Sequence, residues 1–336
     1  MGDTLAFDSA WGTPEEGRPR PADARRAELA TLVRRSALFV PANVPKFVEK
    51  AHTRGADAII LDLEDSVPPA AKPAARTGLR EAMAHCARGG ADLLVRINHP
   101  STMAAQDLES CVWPGLDTVM FPKAESPREI EALDRLIGDL EAARGMPVGR
   151  VRLHLLIETA LGLHNAVPIA LASPRLVSVG LGAEDFTLDI GVEPSRDGRE
   201  LFFGKAQMIV VARLAGAQPF GTVASMADYR DLDGMVAAIR GARQLGFMGA
   251  SCIHPAQVGP LNTYFSPTPD EVEHARRVIA ALEEAEAEGR ASIGVDGKMV
   301  DIPVAERARY LLARAEAIGA WEARKRAALE GSEAST

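Results

Sequence analysis

From Ser36 onward the chain alternates two kinds of stretch. Short, continuously apolar runs occupy residues 37–41, 58–63, 93–97, 118–122, 153–157, 176–180, 219–224 and 249–254. Between them, apolar residues recur every three to four positions, most clearly over 44–54, 74–87, 127–144, 205–215 and 232–245. Runs this short and this apolar read as strands buried on both faces, and the longer periodic stretches read as helices packed over them. Eight strands alternating with helices over about 220 residues predict a parallel sheet with helical crossovers. No Gly-x-Gly-x-x-Gly follows the first strand, so the expected α/β fold is a closed (β/α)8 TIM barrel rather than an open doubly wound sheet.

The pattern changes at both ends. Residues 1–32 are rich in Pro, Gly and charge without a sustained apolar period and read as a flexible lead-in. The barrel is expected over 33–266. A C-terminal helical extension over 267–330 follows, with a charged amphipathic helix at 269–288, a turn marked by Gly289, Gly294 and Gly297, and a second helix at 303–320. Residues from 328 are expected to fray. Two helices and a hairpin bury little alone, so this segment should pack on the barrel or on a neighbouring subunit.

Polar residues cluster just after the strands: Asn43, Asp62, Glu64, Asp65, Arg96, Asn98, Lys123, Glu158, Asp185 and His254. Before the strands stand mostly Gly, Ala and Asp. In a barrel of this kind the C-terminal mouth carries the chemistry, so the asymmetry points to an enzyme. Glu158 and Asp185 end or follow neighbouring strands beside glycines, and paired hard oxygens there suit Mg2+; two solvated loop acids are the bland alternative. Arg96 offers two planar donors for a carboxylate or an enolate oxygen, or a structural salt bridge to Asp62 or Glu64. The acids of Leu61-Asp62-Leu63-Glu64-Asp65 either bond metal-bound water or cap a turn. Lys46 with Lys50, and Lys72 with Arg76, lie one helical turn apart and suit a ligand with several phosphates, or simply form solvated faces.

Composition narrows the classes. The hydrophobic fraction of 47% supports a large core, and a net charge of -8 argues against a nucleic-acid footprint. No apolar run approaches the ~20 residues of a membrane span. Cys86, Cys111 and Cys252 form neither a disulfide framework nor a zinc spacing, which points to a reducing cytoplasm. The histidines show no metal-ligand spacing and no Gly-x-Ser-x-Gly is present, so zinc and serine-nucleophile chemistry are not expected.

Eight ordered motifs carry a resemblance: Phe39-Val-Pro-Ala-Asn43, Leu61-Asp-Leu-Glu-Asp-Ser66, Val95-Arg-Ile-Asn98, Phe121-Pro-Lys-Ala-Glu-Ser126, Ile157-Glu-Thr-Ala-x-Gly162, Gly182-Ala-Glu-Asp-Phe186, Ile253-His-Pro-x-Gln257 and Gly297-Lys-Met-Val-Asp-x-Pro303. From about Arg35 to Ala320 the chain resembles the citrate lyase β-subunit-like branch of the HpcH/HpaI aldolase superfamily, with malyl-CoA and citramalyl-CoA lyases nearest. One departure is Ala42, where relatives often have Gly.

The resemblance implies a Mg2+-dependent carbon–carbon lyase, with Mn2+ as a substitute, whose metal is held by Glu158 and Asp185. It implies that Arg96 binds the 2-oxo acid and that Phe39, Lys46, Lys50, Ile253 and His254 contact the CoA thioester. Asp301 is implied as the acid/base entering the neighbouring subunit's site, hence a homo-trimer or hexamer. The bottom-up expectation adds Asp62 and Glu64 around the metal-bound waters. The expected reaction cleaves or forms citramalyl-CoA or malyl-CoA from acetyl-CoA and pyruvate or glyoxylate, with small molecules as the only partners. Alternatives are a citrate lyase β subunit acting on a citryl thioester, a silent metal- or CoA-binding accessory, and a hydroxy-ketoacid aldolase, against which the C-terminal helices count.

Overall fold

The computed structural model describes residues 29, 31–99, 101–225, 228–287, 293–295 and 298–333. The expected lead-in therefore lies outside the described residues apart from Leu29, Thr31 and Leu32, as do Gly289 and Gly297.

Eight parallel strands make the ladder: β1 (Ser36–Pro41), β2 (Ala58–Asp62), β3 (Asp92–Arg96), β4 (Thr118–Phe121), β5 (Arg152–Ile157), β6 (Leu176–Leu181), β7 (Gln218–Pro219) and β8 (Ala250–Cys252). They pair in the order β7-β6-β5-β4-β3-β2-β1-β8. Two further main-chain bonds join the ends of that ladder. Met248 N–H donates to Pro219 O at 3.1 Å, and Gly221 N–H to Gly249 O at 2.8 Å. The sheet thus closes into the expected TIM-type barrel.

Helices α1 (Pro45–Ala51), α2 (Lys72–Ala87), α3 (Ser101–Cys111), α4 (Pro127–Ala143), α5 (Ala160–His164), α6 (Ala166–Leu171), α7 (Ala183–Asp189), α8 (Phe202–Ala215), α9 (Leu232–Leu245) and α10 (Val258–Tyr264) sheathe it. Strand alternation divides the apolar residues into two sets. Ala37, Ala58, Ile60, Leu94, Met120 and Phe220 fill the lumen. Their neighbours Leu38, Ile59, Leu61, Leu93 and Val95 pack outward against the helices. Burial on both faces is why the strands read as continuous apolar runs rather than alternating ones.

The C-terminal segment consists of α11 (Pro269–Ala287), a hairpin of β9 (Ile293–Val295) and β10 (Lys298–Val300), and α12 (Ile302–Glu333). A small apolar cluster of its own, including Val278, Leu282, Val300 and Ala305, holds α11 to α12. The far end of α12 is bolted to the N-terminal floor of the barrel. Asp57, fully buried, accepts from Arg35 Nε at 2.7 Å, Arg35 Nη2 at 2.9 Å, the Arg35 main-chain N–H at 2.9 Å and Lys325 Nζ at 2.8 Å. Burial would raise that carboxyl, but the guanidinium and ammonium carry it below its usual range. Glu322 pairs with Arg35, and Arg314 donates to the carbonyls of Leu32 and Met248.

Several elements differ from expectation. The seventh strand is confined to Gln218–Pro219 in the ladder, because Phe220 turns into the lumen and Gly221 takes a positive φ of 148°. Helix α3 arises where no period was evident, anchored by buried Ala104, Leu108 and Cys111. The C-terminus does not fray at 328, because Lys325 and its partners hold α12 and the helix runs to Glu333. No described helix is long and apolar enough to cross a membrane. Burial raises the thiols of Cys86, Cys111 and Cys252, all three free, which fits inert core residues.

Candidate active site

At the C-terminal mouth, each motif is a strand end that turns directly into a helix. After β5, Thr159 caps α5 by accepting from Gly162 N–H at 3.0 Å, which leaves Glu158 pointing inward at the strand terminus. After β6, Glu184 and Asp185 fall in the first turn of α7, where exposed N–H groups favour negative charge. Phe186, buried, pins that turn to the sheath.

Glu158 is 3% exposed and lies across the α-carbon of Gly182; a β-carbon there would meet Glu158 Oε1 at 2.3 Å. Only glycine leaves room for the carboxylate. Among the described residues its one hydrogen-bond donor is the Lys123 main-chain N–H, 2.8 Å from Oε2. Burial, and then the charge of Asp185, push the Glu158 carboxyl up to about 7. A buried acid with a second acid beside it and one donor lacks positive charge. Two oxygen ligands and room for water suit a small hard divalent cation such as Mg2+, which keeps part of its own hydration shell. Among the described residues no group of three or more His, Cys, Asp or Glu is arranged as a full protein cage.

Arg96 is held by its neighbours. Nε and Nη2 donate to the two oxygens of Asp62, each at 2.7 Å, and Nη1 lies 2.9 Å from Glu64 Oε2. That last contact is an ion pair without hydrogen-bond alignment, since Glu64 Oε2 accepts no bond. The guanidinium stacks over Phe39 at 4.7 Å. Asp62 also caps its own loop, accepting from Glu64 and Ser66 N–H at 3.0 and 3.2 Å. Burial works against that charge, but Arg96 and these donors keep the Asp62 carboxyl below its usual range. The salt-bridge reading of Arg96 is therefore realised, with the arginine aimed by Asp62 along the cleft wall.

The cleft, about 260 Å³, is lined by Phe39, Arg96, Glu158, Asp185, Lys205 and Ile253 among others. His254 closes its rim, its Nδ1 accepting from Ala256 N–H at 3.2 Å and its ring stacked on Tyr229 at 4.5 Å. Lys46 and Lys50 are exposed on α1, with Lys46 over the Phe47 ring at 5.0 Å.

The second expected basic pair is overturned. Lys72 is buried, donating to Leu63 O, Glu64 O and Asn98 Oδ1 at 2.8, 2.6 and 2.6 Å, and Arg76 is committed to Asp107 at 2.6 Å. These groups tie the ends of β2 and β3 to α2, and Lys72 has all three ammonium hydrogens committed. Asn98 belongs to the same scaffold, bonding Leu63 O and Asp107.

Asp301 does not line the cleft of its own chain. It caps α12, accepting from Val304 N–H at 3.2 Å, between Met299 and Ile302, which are 69% and 65% exposed.

Lys205, which lines the cleft, had no place in the sequence reading, and Lys123 stood there only among the polar residues after the strands. Lys205, buried, donates to Thr222 O, and burial pulls its ammonium down to about 8. Its signal was a lysine on the buried stripe of α8, with Met208, Val211 and Ala212. Lys123 joins the acids: Nζ donates to Glu64 Oε1 at 2.6 Å and lies 3.8 Å from Asp185 Oδ1.

The family model described as HpcH/HpaI aldolase/citrate lyase matches residues 35–255. The chain is 40% identical over 290 residues to the citrate lyase subunit beta of Escherichia coli (strain K12), covering 86% of this chain and 95% of that protein. It is 36% identical over 290 residues to the (3S)-malyl-CoA thioesterase of Cereibacter sphaeroides (strain KD131), covering 86% and 97%. Among solved structures it is similar to CitE from Mycobacterium tuberculosis in complex with magnesium, acetoacetate and coenzyme A, with a TM-score of 0.67, 32% identity and coverage of 84% and 97%.

Proposed function

The chain belongs to the HpcH/HpaI aldolase/citrate lyase family, and from that premise we propose that it is a Mg2+-dependent lyase of 3-hydroxyacyl-CoA thioesters. The substrates are of the citramalyl-CoA or malyl-CoA type, and the products are acetyl-CoA and a 2-oxo acid. The observation that carries this reading is Glu158: buried, short of positive charge, beside Asp185, and given room only by Gly182.

Glu158 and Asp185 would hold the ion. When bound, Mg2+ supplies Lewis-acid polarisation of the oxo-acid oxygens. Arg96, aimed by Asp62, orients the 2-oxo acid carboxylate and stabilises negative charge that develops on the neighbouring oxygen. Phe39 and Ile253 offer apolar walls to the acyl portion, and Lys46, Lys50 and His254 stand at the rim for the CoA arm. Asp62 and Glu64 accept bonds from water around the site. The partner subunit's Asp301 serves as the acid that protonates the acetyl-thioester enolate carbon in cleavage, and as the base in condensation. The exposed apolar residues flanking Asp301, which does not line the cleft of its own chain, favour delivery between copies and hence a homo-oligomer.

A second reading has a specific observation behind it. The identity to a citrate lyase subunit beta is the higher of the two values given, which favours a citryl thioester yielding oxaloacetate. One assay separates the readings. The purified chain with Mg2+ is offered citramalyl-, malyl- and citryl-CoA. Turnover of a free acyl-CoA, abolished by EDTA and by Asp301→Asn, is expected. Silence on all three, with activity only on a carrier-bound citryl thioester, would hand the site to the second reading.

A further inference from the structure

Lys123 touches the acid cluster from both of its ends. It is the single non-glycine residue at positive φ, +50°, among the described residues. That backbone conformation costs an L-residue energy which glycine would not incur. It turns the Lys123 N–H onto Glu158 Oε2 at 2.8 Å. Ala124, the next residue, is buried and bonded to the adjacent strand, its N–H donating to Leu156 O at 3.1 Å, so the turn is fixed on its far side. From the same turn the side chain crosses the mouth. Its Nζ donates to Glu64 Oε1 at 2.6 Å and lies 3.6 Å from Asp65 Oδ2 and 3.8 Å from Asp185 Oδ1. Arg96, the other base at this point, has Nε and Nη2 committed to Asp62.

We propose that Lys123 is a positioning residue whose ammonium stands in for a divalent cation among Glu64, Asp65 and Asp185, while its strained N–H aims Glu158. This rests on the metal reading given above. Arg96 Nη1 already pairs with Glu64 and Asp65, at 2.9 and 3.7 Å, but without the Lys123 ammonium the repulsion between Asp185 and its neighbouring carboxylates would go less compensated across a partly dehydrated cleft. The ammonium holds them together before an ion arrives. Once an ion is bound at Asp185, a charge 3.8 Å from that carboxylate opposes it. Ammonium and metal therefore compete at Asp185, and the lysine lowers metal affinity in return for a site already assembled.

The consequence is a split that a purely structural residue would not produce. Lys123→Met keeps the N–H to Glu158 and removes only the charge. It is expected to bind Mn2+ about tenfold more tightly than wild type, measured by electron paramagnetic resonance with Mn2+ alone. In the Mg2+-loaded enzyme its kcat falls at least tenfold, and Lys123→Arg restores the wild-type affinity. Unchanged or weaker Mn2+ binding in Lys123→Met overturns the inference, and Lys123→Gln is read the same way should the methionine variant not fold. Wild-type protein whose Mn2+ binding is absent, or indifferent to Glu158→Gln, removes the metal reading and this inference with it. Saturable binding that Glu158→Gln abolishes but Lys123→Met leaves alone removes only the inference.

Discussion

At the floor of the barrel Asp57 is fully buried and accepts bonds from Arg35 and Lys325 on both of its oxygens. At the mouth Glu158 is buried almost as deeply, with one main-chain donor and an acid for a neighbour. The two carboxyls shift in opposite directions: Asp57 lies below its ordinary range and Glu158 is pushed up to about 7. One end of the cylinder spends its charges on holding the chain together. The other leaves a deficit that a ligand can fill. Proteins keep such local inconsistencies where they act, and a consistent surround holds them in place.

The largest separation of the two ends should come from neutralising each acid. Glu158→Gln is expected to reduce turnover at least a thousandfold, ~4 kcal/mol of barrier, while the protein unfolds no earlier than wild type. Asp57→Asn should do the reverse. It strips a negative partner from two buried cations and is expected to cost about 3 kcal/mol or more of stability, with kcat of the folded fraction near wild type. Paired thermal melts and initial rates on the two variants check this. Equal loss of activity and stability in both would erase the contrast.

Much of this contrast could be read in advance at the mouth and very little at the floor. Glu158 and Asp185 each sit at or just after the end of an apolar run, so their place at a strand terminus follows from local pattern alone. The floor network joins Arg35, Asp57 and Lys325, with Lys325 and Asp57 268 positions apart, and nothing local marks them as partners. Lys72 shows the opposite failure. Its spacing to Arg76 matches a solvated helix face, yet three acceptors in the loops just after β2 and β3 draw it inward. The strain at Lys123 was equally hidden, because Phe-Pro-Lys-Ala carries no turn glycine to announce a positive φ.

A smaller effect comes from pH, and the signs differ at the two ends. Native Glu158 keeps its proton to about pH 7 while the unfolded chain releases it near the ordinary carboxyl value of 4.5. Between those values the native state holds more protons, so stability of the metal-free protein falls as pH rises, by on the order of 3 kcal/mol. Asp57 has the depressed pKa, so its contribution is present above the unfolded value and is lost as pH falls. Melts in EDTA should therefore be highest at weakly acidic pH. Divalent metal should flatten the upper slope by replacing the proton, as should Glu158→Gln. An upper slope that survives in Glu158→Gln would assign it to another group.

The finest test is Lys325→Met, which asks whether the floor can be loosened without disturbing the mouth. Asp57 would keep both side-chain bonds from Arg35, at 2.7 and 2.9 Å, so the carboxylate stays paired and the cost is one charged hydrogen bond. That is about 1–2 kcal/mol, enough to lower Tm by a few degrees in a chain of this size. The lysine also donates to Gly55 O at 2.9 Å, so the loss falls on the docking of the far end of α12. Asp301 lies 24 residues earlier in the chain, roughly 36 Å along the helix. Its cap on Val304 and the cluster of Val300, Ala305 and Leu282 are independent of Lys325. Turnover should accordingly stay within about twofold of wild type while Tm falls, and adding Lys325→Met to Asp57→Asn should cost less than it does alone, because the two share a bond. A large loss of kcat in Lys325→Met would mean that α12 transmits the state of the floor to the acid at its other end, and the two halves of the molecule could no longer be treated apart.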